Sequence, residues 1–257
     1  MKINLDNMGR TFLKGIILLV FFGCNSESAP DCLQTTGEVS RLEVIVPDFT
    51  KITVFENVSL VLKQGAVQQV EVETGENLRE EVTAVVEGDR LLLRDTNDCN
   101  FVRSYGTTKV YVTSPNIEEV RSSTGWSVTS DGVLGYDSLT LVSESFNNTE
   151  SETTDGLFDL EVATQNLTVV SNGIAYFKLS GSTQALNLTV AAGDTRIEAD
   201  NLIAQRVGIN HRGSNDMLVN PQQSITGLIS GTGDVISSNR PAEISVDAIY
   251  KGKLVFR

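Results

Sequence analysis

Four short apolar segments decide the fold of this chain: Leu167-Thr-Val-Val170, Leu186-Asn-Leu-Thr-Val190, Val207-Gly-Ile209 and Ile225-Thr-Gly-Leu-Ile229. Within them apolar residues alternate with small or polar ones, and this period of two predicts β-strands with one buried face. Successive segments are spaced by roughly 20 residues, a period typical of stacked repeats. A unit this short cannot bury a core alone, so neighbouring units must stack.

Small-residue turns separate the strands, as at Ser171-Asn-Gly173 and Ser230-Gly-Thr-Gly-Asp234. Gly and Asn suit such corners because they tolerate positive φ. We therefore predict one all-β domain over residues 39–257, a right-handed parallel β-solenoid with short capping strands at the N-terminus. The final strand, Gly252-Lys-Leu-Val-Phe-Arg257, is expected to cap the other end. An antiparallel sandwich of short strands fits the same alternation and is the alternative fold.

The N-terminus has the features of an export signal. Lys2, Arg10 and Lys14 form a basic start, and Gly15 to Gly23 is an uncharged apolar run. The run is too short to cross a bilayer as a helix, which takes about 20 residues. Cys24 follows it directly, in the position of the lipidated cysteine of bacterial lipoproteins.

This segment predicts how the chain is processed and where it lies. We expect a lipoprotein signal peptide at residues 1–23, then a lipidated Cys24 on a flexible tether that spans residues 24–38. An ordinary signal peptide followed by an unrelated cysteine is the alternative. The expected location is the cell envelope of a Gram-negative bacterium, with the lipid in the outer membrane and the protein on its periplasmic or surface side.

Two cysteines remain once Cys24 is set aside, Cys32 and Cys99. An even pair in an exported protein predicts a disulfide. Metal binding is the alternative, but the chain has no CxxC motif and one histidine, which gives zinc little support. We expect no cofactor.

Charge limits the partners of the chain. With 20 basic and 33 acidic residues, the formal net charge is −13, the wrong sign for tracking phosphate backbones. Nucleic acid is therefore not an expected partner. The expected partners are the membrane, through the N-terminal lipid, and a glycan or another envelope protein.

No catalytic constellation is evident in the sequence. His211, the one histidine, stands beside a predicted corner, and we expect a surface or corner residue rather than a catalytic base. Glu71 and Glu73 share a strand face, as the paired acids of a glycosidase would, but a solvated face explains them better. Sugar-binding proteins often stack aromatic rings on sugars, and the aromatic residues selected for this role are Tyr105, Trp126 and Tyr136.

The chain resembles a bacterial family described as "putative auto-transporter adhesin, head GIN domain". The likeness covers Phe49 to Ser237 and lies in strand pattern rather than in a catalytic signature. The segments that carry it are Phe49-Thr-Lys-Ile52, Val58-Ser-Leu-Val-Leu-Lys-Gln-Gly65, Val70-Glu-Val-Glu-Thr-Gly-Glu-Asn-Leu78, Gly88-Asp-Arg-Leu-Leu-Leu93 and Cys99-Asn-Phe-Val-Arg103.

The resemblance implies a β-helix-like domain on the cell envelope with a role in adhesion, and it brings no catalytic residues. The expected function is a non-enzymatic, lipid-anchored adhesin or envelope scaffold. A carbohydrate-active enzyme, a polysaccharide lyase or hydrolase on a β-helix, is the alternative, since one fold serves many functions. A periplasmic sensor is a third hypothesis.

Overall fold

A computed structural model describes residues 31–97, 99–146, 150–151 and 153–257. In these residues it contains seventeen β-strands and two 3₁₀ helices, Asp31–Leu33 and Glu76–Glu81. All the strands join in one hydrogen-bonded sheet that curves round the core until it is nearly closed. The predicted all-β class is confirmed. The strands are β1 (Val39–Val44), β2 (Lys51–Val54), β3 (Val58–Gln64), β4 (Gln69–Gly75), β5 (Val82–Glu87), β6 (Arg90–Asp95), β7 (Thr108–Ser114), β8 (Glu119–Ser122), β9 (Ser127–Ser130), β10 (Ser138–Ser143), β11 (Leu157–Ser171), β12 (Tyr176–Val190), β13 (Arg196–His211), β14 (Met217–Ile229), β15 (Val235–Ser237), β16 (Glu243–Ala248) and β17 (Leu254–Phe256).

Strands in the second half of the chain pair in parallel at a nearly constant step. Leu157 of β11 lies beside Tyr176 of β12, which in turn lies beside Arg196 of β13. These steps of 19 and 20 residues match the spacing of the apolar segments. Because the units are in register, equivalent side chains stack: the rings of Phe158 and Phe177 lie 4.6 Å apart and within 8° of parallel. The right-handed winding of a parallel β-solenoid is a finer description and stays a prediction.

The two halves of each long strand belong to two separate stacks of paired strands, called here the two series. The first half of β11, from Leu157, pairs with β9, and the second half, from Asn166, pairs with β10. Likewise β14 pairs with β15 through its first half and with β16 through its second. The two series enclose one continuous core, which includes the fully buried Leu167 and Ile197. Dispersion and the hydrophobic effect hold the stack together along this whole length.

The strands at the N-terminal end pair differently. Strand β4 is antiparallel to both β1 and β7, and β5 is antiparallel to β6. These short strands lie at the end of the sheet where capping strands were predicted. The outermost, β1, is largely exposed along its length.

At the C-terminal end, the prediction that the final strand caps the stack is wrong. Strand β17 pairs in parallel with β15, so that Leu254 lies beside Val235 and Phe256 beside Ser237. The alternation in Lys253-Leu-Val-Phe-Arg257 repeats the pattern of the strands before it, and the last strand therefore extends the stack by one layer instead of closing it.

The first described residues are fixed to the body of the protein. Cys32 and Cys99 form the predicted disulfide, with their Cα atoms 4.5 Å apart. Close by, the amide of Phe101 donates a hydrogen bond to the carbonyl of Cys32 (3.0 Å). The Asn77 side chain also donates to the carbonyl of Thr35 (2.9 Å). The signal peptide, Cys24 and residues 24–30 of the predicted tether lie outside the described residues. Among the described residues, no helix is long and apolar enough to cross a membrane.

Candidate functional site at the stacked corners

The corners between successive units stack in a column along one side of the fold. Their backbones are bonded directly: the amide of Asp194 donates to the carbonyl of Gly173 (2.8 Å), and the amide of Ser214 donates to that of Gly193 (2.9 Å). The next layers continue the column, since the amide of Thr232 donates to the carbonyl of Gly213 (3.1 Å). This ladder holds each corner against its neighbour and leaves little room between them.

Glycine is required in this column by both space and conformation. Gly193 has a φ of +86°, a region that disfavours residues with a Cβ. A Cβ at this position would also lie 2.2 Å from the carbonyl oxygen of Gly173, far inside van der Waals contact. Gly231 meets the same limit from the carbonyl of Gly213, at 2.1 Å. The corners are therefore bare of side chains at these points, and backbone lines the surface.

The bare corners form the floor of an open groove of about 550 Å³. Two apolar side chains stand beside it, Ile174, which is 66% exposed, and Tyr250, which is 61% exposed. The volume lies within the usual range for small-molecule sites, about 300–1,000 Å³. The groove is lined by Ile174, Gly193, Asp194, Arg212, Gly213, Ser214, Ser230, Gly231, Thr232 and Tyr250.

Polar groups of both charges line the same groove. The carboxylate of Asp194 accepts a hydrogen bond from the hydroxyl of Ser214 (2.6 Å), which fixes its position. The guanidinium of Arg212 makes no ion pair or hydrogen bond with any side chain in the described ranges. The groove thus offers the guanidinium of Arg212, the oriented carboxylate of Asp194 and the exposed ring of Tyr250. Such a set suits a polar ligand that also has an apolar face.

Directly beneath the groove, His211 is completely buried. Neither ring nitrogen has a hydrogen-bond partner in the described part of the chain. Burial lowers the pKa of His211, an effect opposed in part by the nearby backbone of Asn215 and the carboxylates of Asp216 and Asp234. The expectation was a surface or corner residue, and the surface position is wrong. His211 does stand at a corner, but its side chain points inward at the end of β13.

Of the three aromatic residues predicted to stack on sugars, Tyr136 is ruled out. Its ring is 1% exposed, and its hydroxyl donates to the carbonyl of Ser114 (3.4 Å). Burial raises the pKa of Tyr136 to about 12. A ring enclosed by the core cannot accept a sugar from solvent, so the prediction for this residue is wrong.

The other two predicted aromatic residues, Tyr105 and Trp126, lie together near the disulfide. Tyr105 is 67% exposed and Trp126 is 36% exposed. The Trp126 ring packs over Gly106, where a Cβ would lie 2.6 Å from it. The cavity beside Tyr105 holds about 20 Å³, room for one water molecule and not for a sugar. This pair is accessible but lacks the groove that accompanies Tyr250.

The paired carboxylates of β4 are engaged in local contacts. Glu71 forms an ion pair with Arg41, and Glu73 accepts a hydrogen bond from the hydroxyl of Tyr111 (3.3 Å). Both side chains lie on the outer face, as the alternation predicted. Nowhere in the described ranges do three or more His, Cys, Asp or Glu side chains converge in a way that could hold a metal ion.

Comparison with known proteins places this fold in a family. The model for the family described as "Putative auto-transporter adhesin, head GIN domain" matches residues 48–241. The chain belongs to this family. The resemblance drawn from the sequence is confirmed, over nearly the same residues. No curated protein matches the chain.

Solved structures agree on the fold. A protein from Bacteroides fragilis called a "putative adhesin" is 21% identical, covers 87% of this chain and 99% of its own, and has a TM-score of 0.74. A "putative adhesin" from Parabacteroides distasonis is 15% identical, covers 87% and 99%, and has a TM-score of 0.62. A "putative lipid binding protein" from the same species is 17% identical, covers 86% and 98%, and has a TM-score of 0.59. At these identities the likeness establishes the fold alone.

Proposed function

We propose that this protein is a non-enzymatic, lipid-anchored adhesin of the cell envelope, and that it binds carbohydrate in the groove at the stacked corners. Membership of an adhesin family supports the general role. The single observation that carries the more specific proposal is the exposed ring of Tyr250 beside a groove with a bare backbone floor.

The chemistry of the groove suits a sugar chain. A pyranose offers C–H bonds on one face, which pack on an aromatic ring, and hydroxyls at its edge, which require polar partners. Tyr250 supplies the ring, while Asp194 accepts hydrogen bonds and Arg212 donates them. Stacked layers are about 4.8 Å apart, so the column of corners offers an extended ligand a series of similar positions.

The envelope location rests on the N-terminal sequence. A lipid on Cys24 would hold the domain at the membrane, most simply the outer membrane of a Gram-negative bacterium, and the disulfide accords with export to an oxidising compartment. We also infer that the stacked units wind as a right-handed parallel β-solenoid, since the parallel register at a step near 20 residues suits such a coil. Protease digestion of intact cells, compared with cells whose outer membrane has been opened, tests whether the domain faces outward.

A polysaccharide lyase or hydrolase is the alternative function for the same groove. Such an enzyme needs an acid and a base placed about one substrate bond. Asp194 and Arg212 are the charged residues that line the groove. The carboxylate of Asp194 already accepts a hydrogen bond from the Ser214 hydroxyl. Incubation of the protein with any glycan that it binds, followed by mass analysis of the glycan, separates the two functions: an intact ligand supports an adhesin, and shortened products support the enzyme.

The test of binding is a glycan array probed with the wild-type protein, Tyr250→Ala and Tyr105→Ala. Both substitutions remove an exposed tyrosine, but only Tyr250 borders the groove. We expect Tyr250→Ala to lose about tenfold in affinity, the equivalent of about 1.4 kcal/mol for one stacked ring, and Tyr105→Ala to bind as the wild type does. The reverse order would move the site to the Tyr105 and Trp126 pair.

A further inference from the structure

The last layer of the stack has unpaired edges. Strand β16 pairs with β14 on one side, and β17 pairs with β15 on one side. Within the described ranges, the strand registers give β16 and β17 no partner on their other sides. Among the described residues, one edge of β16 and one edge of β17 are thus open. An exposed strand edge is a template for pairing with another chain.

The bonded backbone groups identify which residues face outward along these edges. The amide of Ile249 donates to the carbonyl of Ile229. The backbone groups of alternate residues of β16 therefore point toward β14, and those of Ile244 and Val246 point away from it. In β17 the amide of Arg257 donates to Ser237, which leaves the backbone groups of Leu254 and Phe256 directed away from β15.

The same end leaves the apolar core incompletely covered. Ile244 is 39% exposed, although Ile225 beside it in the previous layer is fully buried. Val246, Leu254 and Phe256 are half-buried. A further layer on top of β16 and β17 would bury these four side chains and continue the core.

The outer faces of the two edge strands carry opposite charges. On β16 the solvent-facing residues include Glu243 and Asp247, and on β17 they are flanked by Lys253 and Arg257. None of these four forms an ion pair with a side chain in the described part of the chain. An acidic edge and a basic edge therefore lie side by side at one end of the molecule.

We propose that a second copy of this chain covers this end, with β16 of each copy antiparallel to β17 of the other. A two-fold axis makes both pairings at once and closes the interface. One register satisfies backbone, core and charge together, because the residues with free backbone groups face each other and each acid faces a base. Its pairs are Glu243 with Arg257, Ile244 with Phe256, Ser245 with Val255, Val246 with Leu254 and Asp247 with Lys253.

The competing symmetric arrangement is disfavoured by charge. If β16 paired with its own copy about Ser245, Glu243 would face Asp247, and if β17 paired with its own copy about Val255, Lys253 would face Arg257. Like charges directly opposite in antiparallel strands are destabilising. The chosen arrangement replaces both repulsions with attractions.

This pairing has a consequence for the groove. Asp247 and Lys253 flank the corner that contains Tyr250, so pairing them across the two-fold axis brings the corners of both copies to the same side. The two columns of corners then form one continuous surface of double length. The dimer itself does not depend on carbohydrate binding, and its test uses no glycan.

The test is disulfide trapping in the full-length protein, which is exported to the oxidising cell envelope where disulfides can form. Ser245 and Val255 are paired across the proposed interface but lie on different strands of one molecule, so Ser245→Cys/Val255→Cys is expected to give a covalent dimer on non-reducing gels. Ser245→Cys alone and Val255→Cys alone are the matched controls. A cross-link in either single variant would indicate the like-with-like arrangement and overturn the proposal, as would a double variant that stays monomeric.

A charge exchange tests the same interface without cysteines. Asp247→Lys places a lysine opposite Lys253 of the other copy, at both symmetry-related positions. We expect this repulsion to raise the dissociation constant of the dimer by about tenfold. Asp247→Lys/Lys253→Asp restores opposite charges and should recover the wild-type constant, measured by sedimentation. A double variant that is as weak as the single one contradicts the pairing, and so does a wild-type protein that sediments as a monomer.

Discussion

The amide of Asp194 donates a hydrogen bond to the carbonyl oxygen of Gly173, 2.8 Å away in the adjacent layer of the stack. That same oxygen would lie 2.2 Å from a Cβ on Gly193. The corner ladder therefore exists only because the residue before Asp194 has no side chain. This contact sets the spacing of the corners and, with it, the floor of the groove.

Gly193→Ala is expected to lower the free energy of unfolding by about 2–4 kcal/mol. Positive φ costs a non-glycine residue about 1–3 kcal/mol, and the contact with Gly173 adds to it. Urea unfolding measures the loss. Gly132→Ala is the matched control, because Gly132 has a φ of +85° but nothing within 4 Å of its Cβ position. Equal losses in the two variants would show that the contact between corners contributes nothing.

His211 is expected to make the protein less stable in mild acid. Its pKa is lowered in the folded state by burial, whereas in the unfolded chain it is near 6.5. The folded state therefore keeps its full stability above about pH 6.5 and loses it as the pH falls toward the folded pKa, by up to about 1.4 kcal/mol per pH unit.

The measurement is urea unfolding at pH 7.5 and 5.5 for the wild type and for His211→Leu, which cannot titrate. As His211 is the one histidine of the chain, the wild type should lose more stability than the variant over this range, by at most about 1.4 kcal/mol. An equal loss in both proteins would mean that His211 is protonated as readily in the folded state as in the unfolded one.

The disulfide should stabilise the domain through its unfolded state. Cys32 and Cys99 are 67 residues apart, and closing a loop of this length is worth about 4 kcal/mol in the chain-entropy model. Cys32→Ser/Cys99→Ser is expected to unfold at correspondingly lower urea. Reduction of the wild type by dithiothreitol should give the same midpoint as the double variant, and an unchanged midpoint in both would contradict the prediction.

Lipidation of Cys24 remains a prediction from the N-terminal sequence. In cells fed labelled palmitate, the wild type should take up the label and Cys24→Ala should not. The substituted protein should leave the membrane fraction, because the charge of the chain, −13 overall, does not favour anionic lipid. Label in the Cys24→Ala protein would end the lipoprotein interpretation.

The alternation and spacing of apolar residues predicted the all-β fold, because period and register follow directly from side-chain polarity. The same rule places His211 inside: it shares the parity of Val207 and Ile209 on β13, both of them buried. Reading it as a surface residue gave polarity more weight than register. Tyr136 could not be placed in this way, since its ring is enclosed by residues such as Ser114 that are distant in sequence.

The groove was beyond the reach of sequence analysis for a similar reason. Its glycine corners were visible as turns, but Ile174 and Tyr250 are 76 positions apart and meet at one surface only through the stacking of layers. The one-sided pairing of β17 was likewise hidden, because its alternation resembles that of β15, the strand it pairs with. Local pattern determines which residues face inward, whereas the contacts between layers join residues that are far apart in sequence.

The most direct test of the central claim is a calorimetric titration of the wild type, Tyr250→Ala, Tyr250→Phe and Tyr105→Ala with the glycan that binds best on the array. If the groove binds sugar through the Tyr250 ring, Tyr250→Ala loses about tenfold in affinity, while Tyr250→Phe and Tyr105→Ala stay close to the wild type. Wild-type affinity in Tyr250→Ala would contradict the account and leave the groove without its proposed ligand.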